Sequence, residues 1–390
     1  MADRFKIALF TYSTKPRGSV IHTLELAEAL HHLGHQVCVY ALDKDESGFH
    51  RSLSCNSEFI PSYPVSGDID TLIQQRIQEF VNYLSSNPQK LASYDYLHSQ
   101  DCISANALLM LRDRQQIPHF IRTVHHIEAY NSPFLKECQD RSIRHPDLCL
   151  CVSQYWQTEL KRQYQIDAPR VINGVNLDRF SPLPSQQDAS LKQQFHLTGK
   201  PLYLTVGGIE PRKNSIALLH AFSQVLKHYP EAQLIIAGGA TLFDYQAYRD
   251  EFFAQVEASG IQVGKSLILP GVVTDEQLSV LYRLADAFVF PSVKEGWGLV
   301  VLEAIASGTP VITANQPPFT EFLASQHALL IDPASPKAIA HAMIDVVQPA
   351  VAASLLEYSR SLCNTYTWNA SAKLHLHHYR TLYARNSVSS

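Results

Sequence analysis

The chain has 390 residues, 46% hydrophobic and 17% charged, a balance that describes a soluble globular protein and excludes a disordered one. That length is too great for one ordinary core and suits two domains. The formal net charge of −4 gives no footprint for a nucleic-acid partner, and no apolar run approaches the roughly 20 residues of a membrane span.

Among the seven scattered cysteines only Cys149 and Cys151 are close. On a strand these two point the same way without geometry to bridge, so a reducing, cytoplasmic setting is expected. The N-terminus passes almost at once into the apolar run Ile7-Ala8-Leu9-Phe10, without the length or cleavage pattern of a signal peptide.

Lys6 to Thr11 reads as the first strand. After Lys15-Pro16-Arg17-Gly18-Ser19, a helix is expected from Val20 to Leu33. Ile21, Leu24, Ala27 and Leu30 fall at helical spacing there, and Gly34 ends the run. A strand from His35 to Ala41 completes a βαβ opening with a glycine turn at its first crossover. His22, in the helix's first turn, reads either as a solvated or capping histidine or as an acceptor contact. From Asp43 to Ser93 only one amphipathic helix is legible, Ile69 to Leu84. Asp95 to Gln100 then reads as a strand running into a helix for which Asp101 is a good N-cap.

Phe120 to Val124 is another buried strand, and His125-His126 follow at its C-terminal end, where open α/β sheets place ligands. Without a third ligand the pair is a poor metal signal. Asp147 to Ser153 is a strand, Gln154 opens a helix, and a tight turn at Asn173-Gly174 leads to Arg179-Phe180-Ser181-Pro182, which closes the first domain. Residues 184–200 are polar and aperiodic and read as a linker.

The second domain opens with strand Leu202 to Val206, then Gly207-Gly208-Ile209-Glu210-Pro211-Arg212-Lys213-Asn214, then a helix. Glycine backbone N–H groups beside two cations suit a diphosphate; a solvated basic pair is the alternative. Strand Gln233 to Ala237 leads to Gly238-Gly239. Beyond it Phe243, Tyr245 and Tyr248 form an aromatic cluster, for packing or as a sugar platform. Strand Ser266 to Leu269 ends at Pro270-Gly271-Val272-Val273, and a helix from Thr274 to Leu284 is capped by Thr274.

The most informative stretch follows. Strand Ala287 to Phe290 ends at Pro291, a loop holds Trp297 between Gly296 and Gly298, and a helix from Leu299 to Ser307 stops at Gly308. Strand, glycine loop and helix N-terminus together suit phosphate, because free N–H groups and the positive dipole end face one point. Glu295 lies in the loop. Glu303 lies in the helix among Leu299, Val300, Val301, Leu302, Ala304, Ile305 and Ala306. A carboxylate in such company is costly to desolvate unless donors meet it, and sugar or ribose hydroxyls are suitable donors. The plainer alternative is an ordinary α/β turn with a solvent-facing glutamate. A strand Val311 to Ala314, a short helix at Phe319, a strand Ala328 to Ile331 and three helices (Pro336 to Val347, Val351 to Asn364, Ala370 to Ala384) finish the chain. His375, His377 and His378 read as a wetted helix face, and Asn386 to Ser390 as a polar tail.

Glu295-x7-Glu303, with Gly296, Gly298, Ala304, Gly308 and Pro310 in place, resembles the Glu-x7-Glu signature of the family-four retaining glycosyltransferases (glycosyltransferase group 1). Leu281 to Asp286 and the Asn-Gly-Val-x4-Phe-x-Pro run from Asn173 to Pro182 fit the same family. The resemblance covers nearly the whole chain and is strongest from Pro201 to Val311. It implies the GT-B fold: two doubly wound Rossmann-like α/β domains facing across a cleft. An acceptor domain would span 1–183, a linker 184–200, a nucleotide-sugar domain 201–366, and a last helix from 367 to 390 would cross back to the first domain, with Trp368 as anchor.

The implied activity is transfer of a sugar from a nucleotide diphosphate sugar to a hydroxyl of a glycan, glycolipid or small molecule. Anomeric configuration would be retained, with no metal or other cofactor and no nucleic-acid partner; contact with a membrane surface is compatible with it. Lys213 is the family's usual diphosphate-binding lysine, joined here by Arg212 and the N–H groups of Gly298 and Leu299. Glu303 would bind the ribose and Glu295 the hydroxyls of the transferred sugar. His125, in a Thr-x-His pattern, would contact the donor sugar. Gly18, Gly207 and Gly208 would admit the donor to the backbone, Val272 would receive the base, and Gly296 and Trp297 belong to the donor loop. Three positions depart from the pattern: Ser19 where a second glycine is common, Gln100 in place of the second histidine of His-x-His-Asp, and Gly208 where an arginine is common. Arg212 is a candidate to supply that missing charge. A GT-B epimerase, an inverting transferase, a phosphorylase or a non-catalytic nucleotide-sugar sensor are the alternatives.

Overall fold

The structure, a computed structural model, describes residues 4–239 and 245–388, with side chains as far as residue 382. The chain divides into two units: Met1–Gly174 with Tyr366–Ser390, and Val175–Thr365.

The first unit alternates strand and helix: β1 Lys6–Thr11, α1 Gly18–His32, β2 Gln36–Asp43, β3 Asn56–Pro61, α2 Ile69–Ser85, α3 Pro88–Ala92, β4 Tyr96–Ser99, α4 Cys102–Asp113, β5 Ile121–Val124, α5 Pro133–Arg144, β6 Leu148–Cys151 and α6 Gln154–Tyr164. The strands form one parallel sheet in the order β3-β2-β1-β4-β5-β6. The central strands are covered on both faces, so β1 and β2 carry long apolar runs, while β4 and β5 bury His98, Ser99, Arg122 and Thr123 among apolar neighbours. Side chains set the helix starts. The Asp68 carboxylate accepts from Thr71 N at α2, and Asp101 accepts from Ser104 N at α4, the capping role expected of it.

The second unit holds α7 Gln187–Gln194, β7 Leu202–Val206, a 3-10 turn Pro211–Lys213, α8 Ser215–His228, β8 Gln233–Ala237, α9 Gln246–Ser259, β9 Leu267–Gly271, α10 Asp275–Leu284, β10 Ala287–Phe290, α11 Leu299–Ala306, β11 Val311–Ala314, a 3-10 turn Phe319–Glu321, β12 Leu329–Ile331, α12 Pro336–Val346, α13 Pro349–Ser359 and α14 Leu362–Thr365. Its sheet, also parallel, has the order β12-β11-β10-β7-β8-β9. Renumbered from its own first strand, this is the same doubly wound order as in the first unit. Each sheet reverses direction beside its first strand, so the crevices lie at the carboxyl ends of β1 and β4, and of β7 and β10.

Some expectations need correction, and others, such as the return of the last helix to the first unit, do not. The stretch 184–200 is not a plain linker. It contains α7, which buries Leu191 and packs on α10 through an Asp188–Arg283 ion pair of 2.7 Å. β3 escaped notice because an edge strand with one covered face carries the polar run Asn-Ser-Glu. The last helix, α15 (Trp368–Val388), belongs to the first unit and packs on α1. Its histidines are not a common wetted face: His377 is exposed, but His375 is fully buried. Trp368 is buried as an anchor, its ring edge-on to His22 at 5.3 Å. Phe243 of the aromatic cluster lies outside the described residues. The Tyr248 hydroxyl accepts from Ile216 N at 3.1 Å, which gives that ring a packing role. All seven cysteines are free, and among the described residues no single helix is long and apolar enough to cross a membrane.

Candidate active site

In the second unit the side chains expected from the sequence to form a site gather at the ends of β7 and β10. Gly207 has φ +138, and a Cβ there would meet the Lys213 side chain at 2.8 Å, so the missing side chain makes room for the lysine. Gly208 is also tightly held. A Cβ would stand 2.5 Å from the Gly239 carbonyl oxygen and 2.9 Å from Glu210 Oε1. The arginine common at this position has no room on this backbone, so the glycine reflects close packing of two glycine pairs. Val272, across from Gly239, is well exposed.

Lys213 ends the 3-10 turn that follows β7. Its Nζ lies 2.6 Å from Glu295 Oε1 and 4.4 Å from the centre of the Phe290 ring. Burial, with the Arg212 charge beside it, lowers the lysine pKa to about 8, against the opposing pull of Glu295. Arg212 does not stand free to replace a missing charge. Its Nε is 2.9 Å from Glu210 Oε2 and its Nη1 is 3.0 Å from Glu295 Oε1. Burial alone would push the Glu295 carboxyl up, but Lys213 and Arg212 outweigh it and hold the group below the usual carboxylate range. Two cations and two carboxylates therefore balance here, and an incoming anion competes with Glu295 for both cations.

Sequence reasoning missed the groups that hold this cluster together. Ser292 Oγ, fully buried, lies 2.7 Å from Glu295 Oε1 and 2.8 Å from the Arg212 carbonyl, and Val293 N donates to that carbonyl at 2.8 Å. Asn214, at φ 60, donates from Nδ2 to the carbonyls of Pro291 (3.2 Å) and Pro333 (2.6 Å). The only sequence signal was their adjacency to Lys213 and Pro291.

Glu303 is buried on α11, and its Oε2 accepts from the Tyr282 hydroxyl at 3.0 Å. Burial and the Glu303 charge raise that phenol well above its ordinary range, so it remains a donor. One of the donors that a buried carboxylate requires is thus internal. Gly298, at φ +108, starts α11, and a Cβ there would lie 2.7 Å from the Phe319 ring. In the first turn the Leu299 N–H has no intrahelical acceptor, whereas Val301 N donates to the Gly298 carbonyl at 3.0 Å. Trp297 is buried and stacked on Phe322, ring centres 4.7 Å apart, beside half-exposed Gly296.

The first unit carries the other two predicted positions, Gly18 and His125. Gly18 opens α1, and nothing lies within 4 Å of where its Cβ would be. His125, half-buried after β5, has Nε2 3.1 Å from Gln100 Oε1. Burial and the nearby His22 and Arg122 hold its pKa well below the usual value. His22 is neither solvated nor a cap. It is fully buried, its Nδ1 is 2.9 Å from Asn173 Oδ1, its ring stands edge-on to His125 at 4.7 Å, and burial lowers its pKa to about 4. His126 pairs with Glu128 at 2.7 Å. Among the described residues no three His, Cys, Asp or Glu side chains are grouped to hold a metal ion.

The model for Glycosyltransferase Family 4 matches residues 16–179, and that for Glycosyl transferases group 1 matches residues 186–358. The chain belongs to the family-four glycosyltransferases. This glycosyltransferase is 28% identical over 275 residues to O-antigen chain mannosyltransferase B of Escherichia coli, covering 64% of this chain and 69% of the relative. It is 27% identical over 315 residues to D-inositol 3-phosphate glycosyltransferase of Corynebacterium glutamicum, covering 74% and 72%. In fold it is similar to sucrose-phosphate synthase from Thermosynechococcus elongatus, at TM-score 0.81 and 24% identity over 98% of this chain and 100% of that one. Anabaena HepE, solved with UDP-glucose, gives TM-score 0.74 at 18% identity over 96% and 99%. The two Rossmann-like units of this glycosyltransferase are those of the GT-B fold.

Proposed function

We propose that this glycosyltransferase moves a sugar from a nucleoside diphosphate sugar to an acceptor hydroxyl with retention of anomeric configuration. The observation that carries the reading is the meeting of Lys213 and Arg212 on Glu295 Oε1, at the ends of β7 and β10. As the glycosidic C–O bond breaks, negative charge builds on the leaving diphosphate. Cations held in place stabilise that charge without reorganising, and the α11 first-turn N–H groups add a positive dipole end. The charge stabilisation needs no metal.

Lys213 is still mainly protonated at neutral pH, since its pKa of about 8 lies above it. Donor binding would draw the cations from Glu295 towards the phosphates, freeing Glu295 to accept from hydroxyls of the transferred sugar. Glu303, already bonded to Tyr282 through Oε2, has acceptor capacity left for a ribose hydroxyl. Gly207 leaves room for Lys213 beside the donor, Gly208 is buried and serves packing, and Val272 offers an exposed apolar surface to the base. In the first unit, His125 would bond a sugar hydroxyl. A UDP-linked hexose is the first donor to try, because Anabaena HepE was solved with one. The free cysteines suit a cytoplasmic place of action.

The test is release of nucleoside diphosphate when donor and acceptor are added together, with anomeric analysis of the product. Glu303→Ala is expected to weaken donor binding about tenfold, the loss of a hydrogen bond to a charged group. Lys213→Ala is expected to lower kcat by roughly 10² with a smaller change in donor affinity. If calorimetry and turnover leave both variants like the parent, the assignment of this site is wrong.

A further inference from the structure

Gln100 stands where the family's histidine is replaced, and no role above uses it. It is buried at the end of β4, next to β5, and His98 and Thr123 behind it are fully buried too. We propose that Gln100 is a positioning residue that locks His125 as the Nε2–H tautomer, so that His125 presents a bare Nδ1 as hydrogen-bond acceptor to a substrate hydroxyl. This rests on the reading of His125 as a sugar contact.

The argument is one of donors and acceptors. Gln100 Oε1, 3.1 Å from His125 Nε2, can only accept, so Nε2 carries the hydrogen. In a neutral ring the other nitrogen is then bare. The ring is kept neutral by burial and by the groups that face it: His22 from α1, His98 from β4, and Arg122 and His126 from its own segment. The Gln100 amide is oriented from the other side. Its Nε2 lies 3.2 Å from His98 Nε2 and 3.5 Å from His98 Nδ1, nearly equidistant, which places it over the imidazole face. An N–H donor is favourable over a π face and a carbonyl oxygen is not.

His98 cannot swing away. Its Nδ1 is 2.6 Å from the Tyr379 hydroxyl and its Nε2 is 2.8 Å from Thr123 Oγ1. A buried chain Tyr379–His98–Gln100–His125 thus runs from α15 to the sheet's carboxyl end. The edge-on ring of His22 restrains the plane of His125. A histidine held in this way accepts from a hydroxyl and cannot deliver a proton from Nδ1.

Two measurements test the proposal. Nitrogen-15 spectra of histidine-labelled enzyme should show His125 with a protonated Nε2 and a bare Nδ1. A protonated Nδ1 with bare Nε2 overturns the proposal, and this readout needs no substrate. Gln100→Glu keeps the shape and the acceptor but adds a negative charge, which favours imidazolium and so protonates Nδ1. The acid limb of kcat/KM should shift upward by about one unit, so that the variant falls about tenfold behind the parent on that limb and rejoins it as pH rises. A loss that is the same at every pH, or a parent-like profile, overturns the positioning role. If Gln100→Glu does not fold, the tautomer spectrum of the parent still decides. Failure of the underlying reading looks different: His125→Ala would then turn over like the parent, whatever the tautomer.

Discussion

Lys213, Arg212 and Ser292 all approach the same oxygen of Glu295, so that carboxylate governs the charge of its neighbours as well as any sugar contact. Glu295 favours the charged form of Lys213, against burial and Arg212. Removing its charge by Glu295→Gln should therefore lower the lysine pKa further below about 8. The alkaline limb of kcat/KM for donor should move to lower pH, as a pH–rate profile would read directly. Had Glu295 served only the sugar, the limb would stay put while kcat fell. Gly208→Ala should also be damaging, because its Cβ would press on a backbone oxygen at 2.5 Å that cannot rotate aside. A cost of roughly 1–3 kcal/mol, read as a lower denaturation midpoint, is expected. The carboxylate pair and the lysine were legible as spaced letters. The groups around them were not: Tyr282 meets Glu303, Ser292 meets the Arg212 carbonyl and Asn214 meets the Pro291 and Pro333 carbonyls across the fold, while the contact of Ser292 with Glu295, three residues on, carries no pattern of its own.

Helix α10 shows an element whose start was readable. Thr274 accepts from Gln277 N, and the Gln277 side chain accepts from the Thr274 backbone, a reciprocal box written as Thr-x-x-Gln. Thr274→Ala should cost about 1 kcal/mol in chemical denaturation, with little effect on kcat. α7 and α15 show the opposite case. The polar sequence of α7 carries almost no apolar face, and it is ordered through Leu191 and the Asp188–Arg283 pair. In α15, His375 looks like one more surface histidine, yet its Nδ1 donates to the Ser371 carbonyl at 2.8 Å and its ring lies near His22 and His98. Periodicity counts apolar letters, and a histidine buried as a neutral ring is not counted.

The first unit is closed by the end of the chain. Tyr379 stacks on Tyr96 at 4.7 Å and bonds His98, so a fragment ending at residue 174 lacks part of its own core. Such a fragment should show no cooperative unfolding transition by near-ultraviolet circular dichroism, and joining residues 366–390 to it should restore one. Acid should also strike this unit first. Burial lowers the pKa of His22 to about 4 and that of His375 to about 3, below the ordinary 6.5. Between 6.5 and those values the unfolded chain binds protons that the folded chain refuses. Stability is therefore full above pH 6.5 and is lost as pH falls, by about 1.4 kcal/mol per pH unit for each ring. A denaturation series from pH 7 to 4 checks this, and a double variant at His22 and His375 that still folds should flatten the slope.

Two parallel sheets, their order of strands and helices, and the phosphate-suited loop before α11 were written locally, in apolar runs, glycines and caps whose effect reaches only a few residues. The pairing of Glu295 with both cations, the bond from Tyr282 to Glu303, the crowding around Gly208 and the burial of His22, His98 and His375 were not. Each of these depends on contacts between residues far apart in the chain, and a hydrogen bond or a desolvation cost exists only once both partners are brought together. That is why the family signature could be read before the fold was known, while the charge and proton states of the groups within it could be assigned only afterwards.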